Sequence, residues 1–264
     1  MKLLITLDFP PARGGIQKYL CGIVHFCYNK EDAVFIAGMR YPAEVPLKVN
    51  ARMRYFSSPL DVINRKISLL FVIIPYVRLC RRFHGSLSVE CGNVYAALVP
   101  WLFSKITKQP YRVYTYGTEL IGLQKRSLGS LILRSVLNKA EKIFTLGKYS
   151  EDSVKKLNIT APVDRVPPRI ILPGVSGINR DQPKDHFTIL CVGRLVKHKG
   201  HGVLIRAAQL LAQERKYHVV IIGEGPEYAG LQHRCASLGV GDMVSIKQNL
   251  SDEQVHKEFK NIGT

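Results

Sequence analysis

A chain of 264 residues is long enough for one large or two ordinary domains, each with its own core, and 46% hydrophobic with 22% charged residues is a globular composition. The net charge of +18 is unevenly placed: residues 1–172 hold 26 Lys and Arg against 11 Asp and Glu, while the remainder holds 12 against 9. The N-terminal part is therefore the half that faces something anionic: a membrane, a nucleic acid or a phosphorylated substrate. Six cysteines (Cys21, Cys27, Cys80, Cys91, Cys191, Cys235) form no CxxC pair and mostly sit in apolar patterns, which favours reduced, buried thiols in a cytosolic protein over a disulfide frame or a zinc site. No carboxylate or thiol accompanies His198 and His201, so no metal site is expected.

In chain order, the apolar run Leu3–Leu7 is too short for a signal peptide and reads as a first strand. The loop DFPPARGG follows, then a helical pattern over Ile16–Phe26. Strands are expected at Val34–Ala37 and Met53–Phe56, with loop around Pro42 and Pro46. Asp61–Arg82 reads as a helix that Pro75 kinks or splits. Its apolar part, Ile67–Val77, is too short to span a bilayer and is flanked by Arg65, Lys66, Arg78, Arg81 and Arg82. Two readings stand: a helix lying in a membrane interface, and a core helix with basic ends. Further strands fall at Leu87–Cys91, Tyr111–Tyr116, Lys142–Leu146 and Arg169–Leu172, and helices at Val94–Ile106, Leu128–Leu137 and Tyr149–Leu157. Such alternation specifies a parallel sheet covered on both faces.

Pro173–His186 breaks the rhythm and reads as a linker. A second alternation then runs through strands 187–192, 218–222 and 243–247 and helices 203–213, 226–238 and 252–260. The chain is thus expected to be α/β: an N-terminal domain at 1–172, the linker at 173–186, and a partial second domain at 187–264.

The stretch FTILCVGRLVKHKGHG, 187–202, holds the clearest chemistry. A buried strand ends at Gly193 and turns into a helix through Arg194, Lys197 and Lys199. Free N–H groups at the helix start, with two or three cations, suit a phosphate. Three other turns sit at predicted strand ends: Gly14-Gly15, Tyr116-Gly117-Thr118-Glu119, and Gly223-Glu224-Gly225-Pro226. Glu119 either reaches sugar hydroxyls or caps the next helix. GxGP lacks the third glycine of a dinucleotide fingerprint, and no acidic residue is placed for a ribose, which argues against an oxidoreductase. None of the usual nucleic-acid-binding motifs is present.

Together these turns resemble the GT-B glycosyltransferases of glycosyltransferase family 4. PPARGGIQKY is similar to the family's glycine loop, YGTEL to its HGTEL-type stretch, TLGKYSEDSVKKL to a characteristic helix, and ILPGVS to the interdomain signature. VGRLVKHKG and IIGEGPEYAGLQ resemble its V-G-R-L-x-x-x-K-G and G-x-G-P signatures. The resemblance implies two Rossmann-like doubly wound domains, the second incomplete. It implies sugar transfer from a UDP- or GDP-sugar to a glycan or lipid-linked acceptor, retaining and metal-independent, with no cofactor. It also implies roles. Arg194 and Lys199 would bind the donor diphosphate and stabilise its developing charge, with Gly14 and Gly15 as further diphosphate contacts. Gly223, Glu224, Asn249 and Leu250 would border the nucleobase, and Tyr116 and Glu119 the acceptor side. Lys197 and the neighbouring histidines are expected at the surface.

Two departures stand out. The family histidine of HGTEL is Tyr116 here, which cannot do histidine's proton chemistry near neutral pH. The E-x7-E signature is absent, so the chain is expected to be C-terminally truncated and impaired, with apolar surface left uncovered on the second domain. A catalytically silent relative that retains nucleotide or partner binding is the alternative, and a GT-B-related sugar epimerase fits the VGRL block less well. The basic first domain makes the cytoplasmic membrane face an expected partner surface.

Overall fold

The computed structural model describes residues 1–12, 14–39, 49–124, 127–166, 187–211 and 217–261. The chain divides into two compact units, Met1–Ile170 and Ile171–Thr264. The expected strand at 169–172 and the linker at 173–186 lie outside the described residues.

The first unit runs β1 (Lys2–Thr6), α1 (Gly15–Cys27), β2 (Ala33–Ala37), β3 (Arg52–Phe56), two 3-10 turns (Pro59–Val62 and Arg65–Ser68), α2 (Leu69–Arg82), β4 (Ser88–Cys91), α3 (Leu98–Leu102) and α4 (Ser104–Thr107). It continues with β5 (Tyr111–Thr115), α5 (Thr118–Gly122), α6 (Leu128–Asn138), β6 (Lys142–Thr145), α7 (Lys148–Lys156) and β7 (Val163–Arg165). Among the described residues its seven strands lie in the order β3-β2-β1-β4-β5-β6-β7, and every pairing is parallel. Strand β1 is an inner strand beside the middle one, β4, with Leu3 opposite both Ala33 and Val89.

Side chains alternate across a strand, so one sequence fills two cores. Leu3, Ile5, Phe35, Val89, Val113 and Ile143 pack on one face with α2 and α6, whereas Leu4, Val34, Ile36 and Tyr114 pack on the other against α1. A buried carboxylate sits in this second layer: Glu90 Oε2 accepts from the Tyr28 and Tyr114 hydroxyls, each at 3.1 Å. Cys21, Cys80, Cys91 and Cys235 are buried thiols as expected, but Cys27 is exposed.

Three stretches differ from the sequence reading. Residues 61–68 are not part of a long helix, because local side chains satisfy the backbone first. Asp61 and Ser58 form a capping box, the Asn64 side-chain oxygen Oδ1 accepts from Lys66 N–H, and Ser68 Oγ donates to Asp61. Pro75 neither splits nor ends α2. The carbonyl four residues earlier belongs to exposed Phe71, on the side of the helix that water can reach. The helix expected over Val94–Ile106 is a turn at 93–97 followed by the short α3 and α4, since the Asn93 side chain takes the Ala96 N–H at 2.9 Å. Short α5 and the polar edge strand β7 were not foreseen; the Lys142–Asp164 pair of 2.7 Å bridges β7 to β6.

The second unit contains β8 (Phe187–Val192), a 3-10 turn (Lys197–Lys199), α8 (His201–Leu211), β9 (Tyr217–Ile222), α9 (Tyr228–Ser237), β10 (Val244–Lys247) and α10 (Asp252–Asn261). Among the described residues its three strands are parallel, in the order β10-β9-β8. Leu195, Ile205, Val219, Ile221, Leu231 and Val244 belong to its core. Val203 and Leu210 on α8 are exposed.

Candidate functional site

In the first unit the strand order reverses direction between β1 and β4, and a doubly wound sheet binds its ligands at such a point, beyond the C-terminal strand ends. A crevice of about 570 Å³ lies there, lined by Asp8, Ile16, Asn93, Tyr95, Tyr116 and Glu119 among others. The Asp8 carboxylate accepts from Asn93 Nδ2 at 2.8 Å and Gln17 Nε2 at 3.3 Å, tying the ends of β1, α1 and β4 together. Gly92 makes this possible. A Cβ there would lie 2.5 Å from Thr6 Oγ1 and 2.9 Å from Leu20 Cδ1, both fully buried. Asp8, Gly92 and Asn93 were not singled out from sequence. Their one local signal is position, immediately after short apolar strands.

Gly14 and Gly15 stand at the start of α1, where Gly14 is the N-cap. No side chain caps this end and no acidic residue lies in the first turn, so the helix presents its N–H groups and positive dipole end to an anion or a hydroxyl. Nothing approaches a Cβ at Gly15 within 4 Å, so that position is open.

Tyr116 donates its hydroxyl to the Gly92 carbonyl at 2.8 Å, leaving that oxygen able only to accept from a ligand. The packing around its ring pushes its pKa well above the ordinary tyrosine value, and the carboxylates of Asp8 and Glu119 push the same way. It is a neutral phenol, not a proton carrier. Glu119 Oε1 accepts from the Tyr116 N–H at 2.6 Å, one residue before the N-cap Gly117 of α5, and the residue also lines the crevice.

In the second unit the turns after β8 and β9 are laced together. Gly193 N–H bonds Ile222 O at 2.9 Å, Leu195 N–H bonds Glu224 O at 2.8 Å, and Glu227 N–H bonds Leu195 O at 3.1 Å. Such backbone-on-backbone contact explains the glycines of the GEGP turn. A Cβ on Gly223 would lie 1.8 Å from Gly193 O, and one on Gly225 2.3 Å from Leu195 O. Arg194 and Lys199 are both exposed just past the strand end, as is Lys197. Burial raises the Cys191 thiol pKa while the Lys199 ammonium opposes the shift, which places Lys199 near the end of β8. Gly200 has the left-handed φ of 74° that ends the 3-10 turn and starts α8.

His201 corrects the expectation that the histidines here are at the surface. His198 is exposed, but His201 is buried, with Nε2 3.0 Å from the Arg194 carbonyl and Nδ1 3.4 Å from Cys191 Sγ. It fastens the backbone of Arg194 to the first turn of α8. The missed signal is its place as the first residue of an amphipathic helix.

Asn249 and Leu250 occupy the loop after β10, with Asn249 at φ 56°, a conformation asparagine tolerates better than most residues. Ser251 and Gln254 then cap α10 reciprocally, at 2.8 and 3.2 Å. Among the described residues no group of three or more His, Cys, Asp or Glu is placed to hold a metal ion.

Comparison with known proteins agrees with this geometry. Residues 178–263 match the family described as glycosyl transferases group 1. A GDP-mannose-dependent alpha-(1-6)-phosphatidylinositol monomannoside mannosyltransferase of Mycolicibacterium smegmatis is 25% identical over 267 residues, covering 96% of this chain and 68% of that protein. Among solved structures, sucrose-phosphate synthase of Thermosynechococcus elongatus superposes with a TM-score of 0.69 at 15% identity, over 99% of this chain and 73% of its own. Anabaena HepE in complex with UDP and glucose gives 0.68 at 17% identity, over 96% and 70%. The chain has the GT-B fold of these solved structures, and a segment of its second unit, 178–263, matches the glycosyl transferases group 1 family.

Proposed function

We propose that the chain moves a hexose from a nucleoside-diphosphate sugar to a glycan or lipid-linked acceptor, with retention of anomeric configuration and without a metal. The observation that carries this reading is the turn after β8. It holds two exposed cations, Arg194 and Lys199, at the C-terminal end of a parallel sheet, on a backbone fixed by His201 and the GEGP turn. A departing diphosphate gains negative charge as the glycosidic bond breaks, and fixed cations stabilise charge that develops in the transition state more than charge already present.

In this reading Arg194 and Lys199 act on the diphosphate, with the α1 start at Gly14 and Gly15 as a further contact. Gly223, Glu224, Asn249 and Leu250 border the base. Tyr116 and Glu119 belong to the acceptor side, where Asp8 and Asn93 add polar groups for sugar hydroxyls. The relative named for GDP-mannose and the HepE complex with UDP support a nucleotide donor of either base. The same relative's name supports a lipid-linked acceptor, and a part in cell-surface polysaccharide or glycolipid synthesis belongs to the same proposal.

The test is thermal unfolding with UDP and with GDP. At a hundredfold excess over Kd, one of them stabilises by about 2–3 kcal/mol, a rise of several degrees. Arg194→Ala combined with Lys199→Ala removes the rise. No shift with either nucleotide, or a full shift in the double variant, would refute the assignment. Nucleotide binding without sugar transfer would favour the catalytically silent alternative.

A further inference from the structure

Helix α2 presents two different faces. Leu69, Val72, Tyr76 and Cys80 point into the core of the first unit. The opposite stripe, at helical spacing, carries Leu70, Phe71 and Ile74 in its first half and Arg78 and Arg81 in its second, all exposed. The turns leading into the helix add Val62 and Ile63, which are 94% and 81% exposed, followed by exposed Arg65 and Lys66. Beside α2 pack α3 and α4, which contribute exposed Leu102 and Ile106 together with Lys105. The core reading of this segment describes its inner side, and its outer side is exposed.

The charge pattern decides what the outer side suits. Between residues 59 and 82 there are five cations and one carboxylate. That carboxylate, Asp61, is occupied locally by Ser68 Oγ at 2.6 Å and the Ser58 N–H at 2.7 Å. Protein–protein interfaces deplete lysine and bury their apolar centre against a matching surface. Bulky apolar side chains bordered by Lys and Arg instead match the layering of an anionic bilayer, acyl boundary below and phosphate headgroups above. No helix among the described residues is long and apolar enough to cross a membrane.

We propose that this face, the turns at 59–68 and the outer stripe of α2, docks on an anionic lipid surface. The apolar side chains enter the headgroup–acyl boundary and the α2 cations Arg78 and Arg81 lie among the headgroups, while Arg65, which donates to the Gly38 and Leu7 carbonyls, stays with the crevice. Val62, Ile63, Arg65 and Lys66 also line the crevice at the β1–β4 switch point, and Lys66 Nζ lies 3.4 Å from the centre of the Tyr95 ring. Docking therefore sets the crevice mouth at headgroup level, where a lipid-linked acceptor would enter; that clause alone rests on the acceptor reading above.

Cosedimentation with lipid vesicles tests the docking. The chain is expected to bind vesicles containing about one-third phosphatidylglycerol at least ~10-fold more strongly than pure phosphatidylcholine vesicles, and to be released by high salt. Phe71→Ser with Ile74→Ser, both exposed, should weaken binding by about 10-fold or more while leaving the melting temperature within a few degrees. Charge reversal at Arg78 and Arg81 should remove the preference for anionic lipid. Equal binding to both vesicle types, or undiminished binding by the Phe71/Ile74 variant, overturns the proposal. So does a wild-type dimer in sedimentation that the same variant converts to monomer, since the face would then belong to a second copy. The nucleotide-induced rise in melting temperature is read separately, so loss of vesicle binding with that rise intact sinks the docking alone.

Discussion

Gly223→Ala offers a direct check on how the second unit builds its phosphate-side turn. The added methyl would lie 1.8 Å from Gly193 O and 2.8 Å from Gly193 C, both backbone atoms that cannot rotate away. Carbon and carbonyl oxygen touch at about 3.3 Å, so the two turns must separate by roughly 1.5 Å. The bonds Gly193 N–H to Ile222 O and Leu195 N–H to Glu224 O, at 2.9 and 2.8 Å, cannot survive that intact. Two such bonds at about 1 kcal/mol each, with overpacking strain of about 1–3 kcal/mol, give a loss of about 3–5 kcal/mol. That is a large part of the stability of one small domain. Gly230→Ala in α9 is the control: a Cβ there meets nothing within 4 Å, and helix propensity favours alanine by about 0.5–1 kcal/mol. Urea unfolding followed by circular dichroism reads both variants. Fluorescence of the single tryptophan, Trp101, reports the first unit and should be unmoved by either. A change at Gly223→Ala below about 1 kcal/mol would refute the close approach of the two turns.

Other outcomes follow from the same contacts. His201→Ala should cost about 0.5–1.5 kcal/mol, since the Arg194 carbonyl loses the imidazole and keeps only the Val196 N–H, and it should weaken nucleotide stabilisation although His201 itself is no ligand; isothermal titration checks the second effect. Gly92→Ala should destabilise the first unit by about 1–3 kcal/mol, read by Trp101 fluorescence during urea unfolding. Glu151 bonds Lys155 at 2.7 Å and also pairs with Arg165, and these partners lower its pKa to about 2. A depressed carboxylate pKa contributes stability above the unfolded value near 4.5, lost as pH falls toward 2. Glu151→Gln should therefore differ slightly from wild type at neutral pH, with the gap closing across that acid window in a pH series of melts. The exposure of the group keeps the effect small.

Much of the fold was legible because apolar period and glycine punctuation are local. The 187–192 strand matches residue for residue, and β9, β10, α1 and α6 fall within two residues of expectation. The misses came where side chains outbid the helix locally, at Asp61, Asn64 and Asn93, and where an edge strand is polar, at β7. The same split runs through the site. Arg194, Lys199 and the glycine turns announce themselves by spacing, whereas Asp8, Gly92 and Asn93 meet only because β1 and β4 are neighbours in space, some 85 residues apart in the chain.

By itself the sequence determined that FTILCVGRLVKHKGHG is a strand, a basic turn and a helix, because those choices depend on residues within one or two turns of each other. Only the tertiary structure decided that His201 lies inside and holds the turn, that Gly223 is glycine because a carbonyl sits where its Cβ would be, and that α2 turns an apolar, cation-bordered stripe outward. Each of these depends on which backbone or core lies across a gap in sequence, and periodicity carries no information about that.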